Sequence, residues 1–535
     1  MTAGWTQLAP RDAQMYWLTE RIGNDQYLLY CFDGAHGTPE SLRRLVARRS
    51  ALIPDLCVKL REVPRNLDYP YWVPRPFGPD QIVEHQLPDS DWSGFTAAMG
   101  ELLTDELDAR STPWRLHMFR DVAGAPWCES GVGSIAVLQI SHALADGRQA
   151  STIARALFGS QDPPVPTVRR APSRLPDGVL VARGLGRLPL RVAMTFVRGV
   201  QAFRAQREIE RLTSAGELPA PTVGQQLTKV NSRPGPTRVV RMIVLPAAEL
   251  RSSEVTVTIM VLTAISSALA EYLTGHGGTV DRLGAELPVA SHPRANVKNN
   301  FRNVGVDLFP DEPDVVTRAQ RIAAALAERR SRADNPLFAA QSRVGSVLAA
   351  PMLRHEVANY PFDGIPPTVS GNTVVSSVFR GAGDLELDGG TVRFTAGFPS
   401  LSPVMGLTHG IHGIGDTVTV TITTSPDVMP DVDDYEALLR RSIADVVGVF
   451  DERARGTRPS TEGVAMAATG EAELQELTAS KGLVFAQSGT DEQPIYQLWE
   501  QFPQETVQAV GKVILSNATL SEAIRVARDY TKPAS

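Results

Sequence analysis

A mixed α/β fold, laid out twice along the chain, is what the sequence predicts, and three features predict it. Segments with strand character alternate with segments of helical period, both in residues 1–160 and again in residues 227–449. A stretch rich in proline and arginine, residues 161–226, separates the two sets. The hexapeptide His142-Ala-Leu-Ala-Asp146-Gly147 closes an apolar run and precedes a helix-like segment, which puts a histidine at a strand end, where catalytic groups often sit.

Within residues 1–160, residues 41–49 read as helical and residues 71–73 as extended. Residues 92–107 form an amphipathic helix, with Phe95, Met99, Leu102, Leu103 and Leu107 on one face. In residues 112–119, Trp114, Leu116 and Met118 alternate with Arg115, His117 and Phe119, the pattern of a half-buried strand, and a glycine-containing turn leads on to the His142 strand. Prolines 163, 164 and 166, and ten arginines against three acids between Arg169 and Arg211, mark a crossover linker. After Pro189 a basic helix carries Ala193, Phe196, Val197, Val200 and Phe203 near one face. It suits an anionic membrane surface, or else packs on the protein with its arginines outward. Further on come a strand over 237–245, helices over 258–273 and 314–332, and strands over 374–379, 391–396 and 417–423. Residues 456–535 read as a helical appendage.

Composition narrows the function. A chain of 535 residues, 43% hydrophobic and 21% charged, buries a large core. A net charge of −6 and the lack of a basic, aromatic-interleaved stretch argue against nucleic acid as a partner. Cys31, Cys57 and Cys128 have neither disulfide-framework nor zinc-ribbon spacing, which fits a reducing compartment. The first residues lack a charged and then apolar leader, and the longest apolar stretch, residues 257–270, is too short for a bilayer, which takes about 20 residues. The expectation is a cytoplasmic protein, or one peripheral to a membrane or lipid droplet. Phosphate-cradling Gly-x-x-x-x-Gly-Lys, Gly-x-Ser-x-Gly and His-Glu-x-x-His motifs are missing from the sequence.

Imidazole, with an ordinary pKa of about 6.5, is the side chain suited to act as a base near neutral pH, so His142 is the candidate catalytic base. Asp146 reads as a carboxylate that ties down the turn, and Gly147 as the residue that lets the backbone reverse without a Cβ clash. His409 and His412 are a poor metal pair: no third ligand is near them in sequence, and the glycines around them read as a flexible turn.

Several stretches, taken in order, resemble the bacterial wax ester synthase/acyl-CoA:diacylglycerol acyltransferase family, within the chloramphenicol acetyltransferase-like and condensation-domain superfamily. They are Asp12 with its apolar neighbours, Leu107-Asp-Ala-Arg-Ser-Thr-Pro-Trp114, Ser141-His-Ala-Leu-Ala-Asp-Gly147, Pro288-Val-Ala-Ser-His-Pro-Arg294, Asn299-Asn300 with Leu308-Phe-Pro310, and Val375-Ser-Ser-Val-Phe-Arg-Gly381. The resemblance covers roughly residues 8–450. It implies two mixed-sheet sandwich halves, residues 1–160 and 227–455, joined by the crossover linker 161–226, with a catalytic channel between them.

It also implies the chemistry: His142 takes a proton from an acceptor hydroxyl, which attacks an acyl-CoA thioester, with no metal or further cofactor. The acceptor would be a fatty alcohol or a diacylglycerol, and the product a neutral lipid ester. Arg294 is the implied cation for Asp146, in a buried pair that supports the motif. Ser141, Ser376, Ser377, Asn299 and Asn300 are candidate oxyanion or substrate contacts. The chain departs from the family at Ser141, where the family has a histidine, at Thr258-Ile259, where it has Asn-Asp, and at Ser377, where it has asparagine. Two other readings follow from these departures. One keeps the chemistry with another acceptor or an acyl carrier protein donor; the other is a catalytically weak homologue that binds a lipid surface.

Overall fold

Residues Gln26–Asp33 and Val132–Ile140 are nearly continuous apolar runs, and in the structure they are neighbouring strands buried on both faces. The structure, a computed structural model, describes residues 5–165, 176–291, 297–362 and 364–456, the strands Leu483–Thr490, Gln493–Glu500 and Val513–Ala518, and Arg525. The chain divides into two compact units, one of residues 1–250 with 258–446, the other of residues 251–257 with 447–535.

Two six-stranded mixed sheets dominate the larger unit. The first runs Glu386–Leu387, Gly390–Gly397, Gln26–Asp33, Val132–Ile140, Trp114–Ala123, Ile82–His85; the second runs Phe301–Asp307, Gly284–Ala290, Thr373–Phe379, Leu407–Ile414, Thr417–Thr424, Val239–Pro246. The first sheet is thus completed by a hairpin from the second half of the sequence, so residues 227–455 do not form a self-contained half. The open edge of Gln26–Asp33 explains the exchange, since a central apolar strand left at an edge would expose unpaired backbone groups. Gly390–Gly397 covers that edge, and Arg393 pairs with Asp33 at 2.8 Å.

Helices Pro39–Ser50 and Gly147–Phe158 share one core with the first sheet, through Leu42, Val46, Ile153 and Leu157 against Leu28, Tyr30, Phe32 and Leu138. On the other face, helix Trp92–Leu102 shares a core with Phe119, Val137, Phe394 and, from the second sheet, Val240 and Met242. The Trp114–Ala123 strand is therefore buried on both faces rather than half-buried, because Phe119 meets that helix while Leu116 and Met118 face the other core. The helix stops at Leu102, short of the expected Leu107, and is capped by Asp91, which accepts from the Gly94 N–H at 2.7 Å.

Three further expectations are corrected. The basic helix spans Asp177–Ser214, with Pro189 inside it rather than before it. Helix Val257–Gly275 is 19 residues and apolar enough by length and composition to cross a membrane, yet 67% of its apolar window is buried within the fold, as in a core helix. A C-terminal helix, Val432–Gly456, is present, and beyond it the described strands form an antiparallel three-stranded sheet, which the helical reading of 456–535 did not include, while Arg525 is helical. The runs Leu483-Val-Phe-Ala and Ile495-Tyr-Gln-Leu-Trp are rich in the aromatic and β-branched residues that favour a pleated surface.

His409 and His412 lie on the buried strand Leu407–Ile414, not on a flexible turn. The glycines between and beside them are required by close approach: a Cβ at Gly410 would collide with the Gly397 carbonyl oxygen and lie 2.7 Å from His412 Cε1. Gly410→Ala should therefore lower the urea midpoint at unchanged slope, a loss of about 1–3 kcal/mol, read by equilibrium unfolding.

Candidate active site

The Val132–Ile140 strand ends at Ile140, and the Ser141 N–H donates to the Pro113 carbonyl at 2.9 Å, anchoring the strand exit to the start of the neighbouring strand. His142 follows, half-buried, in the wall of a cavity of about 1030 Å³. Asp146 then caps helix Gly147–Phe158, accepting from the Gln149 N–H at 3.0 Å. Gly147 has an ordinary helical conformation, and a Cβ there would come only within 3.7 Å of Gln26 Oε1. It is not needed for a chain reversal, since the extended Asp146 makes the turn; Gly147 instead lines the cavity.

The histidine is held from behind. Asn299, 1% exposed, places Oδ1 2.7 Å from His142 Nδ1, while its Nδ2 donates to Asp12 Oδ1 at 2.9 Å and to the His142 carbonyl at 2.8 Å. Turning the amide over would set its oxygen against a carboxylate and a carbonyl, so the Asp12 bond settles its orientation. The acceptor Oδ1 then requires a proton on His142 Nδ1, which leaves the Nε2 lone pair free. Asp12 is itself buried and accepts from the backbone N–H groups of Lys298 and Asn299, at 3.0 Å each.

Burial lowers the His142 pKa below its ordinary value, and Arg11 adds to this against the opposing pull of the Asn299 bond and Asp146. Burial also raises the Asp12 carboxyl above the usual carboxylate range, opposed by the bonds from Lys298 and Asn299. At neutral pH the imidazole is therefore uncharged, as a base must be.

Residues 298–300 are gripped by two more carboxylates. Asp55 takes Lys298 Nζ at 2.8 Å and Gln149 Nε2 at 2.8 Å, and Asp146 Oδ2 accepts the Asn300 N–H at 3.1 Å. Asp146 thus accepts one backbone N–H on each carboxylate oxygen; Arg294, its expected partner, lies outside the described residues. Among the candidate substrate contacts, Asn299 is corrected to a residue that orients the His142 imidazole, because both ends of its amide are already committed. Ser141 is likewise corrected: it is 2% exposed and does not line the cavity. Asn300, Ser376 and Ser377 do line it.

Around Ser376 the second sheet splits. Strand Thr373–Phe379 pairs with Gly284–Ala290 only through Thr373 and Val374, and beyond that only with Leu407–Ile414 on its other side. The edge of Ser376–Phe379 that faces the gap lines the cavity with backbone N–H groups left unpaired by the sheet, and the hydroxyls of Ser376 and Ser377 leave the strand on opposite faces. Ser377 Oγ is 2.8 Å from Thr258 Oγ1, so two of the positions that depart from the family bond to each other. His409 and His412 point to opposite faces of their strand and cannot share a metal. His409 bonds Thr373 Oγ1 at 2.8 Å and the Tyr435 hydroxyl at 2.9 Å, and burial pushes it down to about 3.

The family model for the wax ester synthase/diacylglycerol acyltransferase catalytic domain matches residues 20–259, and that for the WS/DGAT C-terminal domain matches residues 298–446. The chain belongs to this family. It is an acyl-CoA-dependent O-acyltransferase by that membership. Among solved structures it is similar to the wax ester synthase/diacylglycerol acyltransferase from Marinobacter aquaeolei VT8, at 16% identity and a TM-score of 0.55, over 83% of this chain and 100% of that one. It also matches a starter condensation domain of rhizomide synthetase in complex with C8-CoA and Leu-SNAC, at 11% identity and a TM-score of 0.49, over 84% of this chain and 94% of that one. No curated protein matches it.

The sequence pointed to His142 directly, and to Asp12 and Asn299 only as parts of a resemblance; their joint role has no local signal, since 287 residues separate them. Asp55, Lys298 and Asp25 were not foreseen. Asp25, buried at the cavity wall, accepts from the Leu107 N–H at 2.7 Å and Gln139 Nε2 at 3.0 Å, and burial pushes its pKa up to about 7. The lowered His142 pKa predicts turnover that is flat through neutral pH and falls on acidification only below about 6.5, the ordinary imidazole value. Asn299→Ala should cut kcat about 10²-fold. It should also move the acid limb to lower pH, because the Asn299 bond supports the protonated ring; a pH-rate profile of both proteins reads this.

Proposed function

We propose that the protein esterifies a long-chain alcohol or diacylglycerol hydroxyl with an acyl group from acyl-CoA, with His142 as the base. The observation that carries this reading is the Asp12–Asn299–His142 chain of hydrogen bonds, which aims a free imidazole nitrogen from the wall of a cavity large enough for a lipid. His142 Nε2 takes the acceptor's hydroxyl proton as its oxygen attacks the thioester carbonyl. The oxyanion of the tetrahedral intermediate is met by donors from the free edge at Ser376 and Ser377. Collapse expels the CoA thiolate, which recovers the proton from Nε2. Because Asn299 rather than a carboxylate touches Nδ1, the ring is oriented without being made strongly basic.

CoA release from palmitoyl-CoA, offered hexadecanol or dipalmitoylglycerol, tests this. His142→Ala should lose about 10²–10⁴ in rate with whichever acceptor is used. Folded wild-type protein that releases no CoA with either acceptor would overturn the choice of acceptor.

The helix Asp177–Ser214 supports work at a lipid surface. Leu185, Val192, Phe196, Val200 and Phe203 follow at helical spacing along one side, with Phe196 75% and Phe203 63% exposed, and exposed Arg204 and Arg207 are near them in sequence. Phe196→Glu with Phe203→Glu should strongly reduce co-sedimentation with vesicles of phosphatidylcholine and phosphatidylglycerol and leave the unfolding midpoint unchanged.

A further inference from the structure

Arg380 follows the Thr373–Phe379 strand, and although it is only 5% exposed its side chain lines the cavity. Nη1 is committed, donating to Thr395 Oγ1 at 2.6 Å and the Ala396 carbonyl at 2.9 Å, and the guanidinium lies 5.4 Å from the centre of the Tyr30 ring. Nε is buried without a partner at hydrogen-bonding geometry; the neutral Tyr30 hydroxyl beside the guanidinium supports its charge, and among the described residues no carboxylate lies within ion-pair distance. Nε and Nη2 form the side-on edge of the guanidinium, the fork that matches the two oxygens of a carboxylate or phosphate.

Beside it His412 is buried, with Nδ1 unpartnered. Room at this corner is kept by Gly397, where a Cβ would lie 2.7 Å from Arg380 Nη2 and 2.7 Å from His412 Nε2. A buried cation without a counter-charge is costly, and neither a fatty alcohol nor a diacylglycerol supplies one.

We propose that Arg380 and His412 form a subsite for an anionic group, carboxylate or phosphate, carried into the cavity by a substrate. The inference rests on the acyl-transfer reading for calling the ligand a substrate, but binding measures it without turnover. Titration calorimetry on the full chain compares 16-hydroxyhexadecanoate with hexadecane-1,16-diol, and palmitoyl-CoA with S-palmitoyl-pantetheine, which lacks the nucleotide phosphates. Wild type should bind the hydroxy acid about tenfold more tightly than the diol, and Arg380→Gln should abolish that preference without weakening the diol. If Arg380→Gln instead weakens palmitoyl-CoA alone among the four probes, the subsite stands and its anion is a donor phosphate.

Gly397→Ala, which keeps the charge and fills the corner, should act in the same direction, and it carries both comparisons if Arg380→Gln does not fold. The proposal is overturned if the substitution leaves the affinity ratio of both pairs unchanged, or weakens charged and neutral probes alike. An anion preference that persists in a protein releasing no CoA would sink the acyl-transfer reading and leave the subsite standing.

Discussion

The hydrogen bond from Asn299 Nδ2 to Asp12 Oδ1 is the contact on which the site depends. It decides which end of the amide faces His142, and so which imidazole nitrogen carries the proton. A lysine behind the ring, a donor only, would donate to Nδ1 and leave the proton on Nε2, the wrong tautomer for a base facing the cavity. An aspartate would give the right tautomer but favour the charged ring. The carboxylate acting through an intervening amide orients the imidazole while burial keeps it neutral. Losing either partner would leave a buried polar group unsatisfied, at a cost of about 1–3 kcal/mol.

The same contact joins distant parts of the chain. Asp12, Asp55 and Asp146 come from the first 160 residues, and all three receive donors from residues 298–300. Such a clamp resists small movements because each carboxylate takes two or more donors, so shifting the segment would strain several bonds together. Asp146 also caps the helix after the histidine, which ties the position of that helix to the position of the clamp.

The cavity, in turn, exists because a sheet fails to close. Divergence of Gly284–Ala290 from Thr373–Phe379 after Val374 opens a gap, and the hairpin ending at Gly397 crosses to the first sheet beside it. Glycines at 397 and 410 let the crossing chains approach within van der Waals distance, which brings Arg380 and His412 to one corner. The paired hydroxyls of Thr258 and Ser377 stand at this gap where the family's asparagines are expected. Because they bond each other, the departures alter the wall of the cavity while leaving the machinery behind His142 intact.

What the sequence by itself determined is local: alternating apolar patterns specify strands, helical periodicity and caps specify helices such as the one Asp314 begins, and a histidine at a strand end is legible as a candidate base. The motif order added the family and the pairing of two halves. The hairpin exchange, the role of Asn299 and the isolation of Arg380 were not legible, because each depends on residues scores to hundreds of positions apart, and no periodicity encodes which buried donor meets which acceptor. The reading of Gly147 failed for the same reason, since a glycine after a motif looks like a turn until the cap beside it is seen to make the turn. Tertiary structure decided the protonation and orientation of the site, because those follow from desolvation and hydrogen-bond partners that only the folded chain supplies.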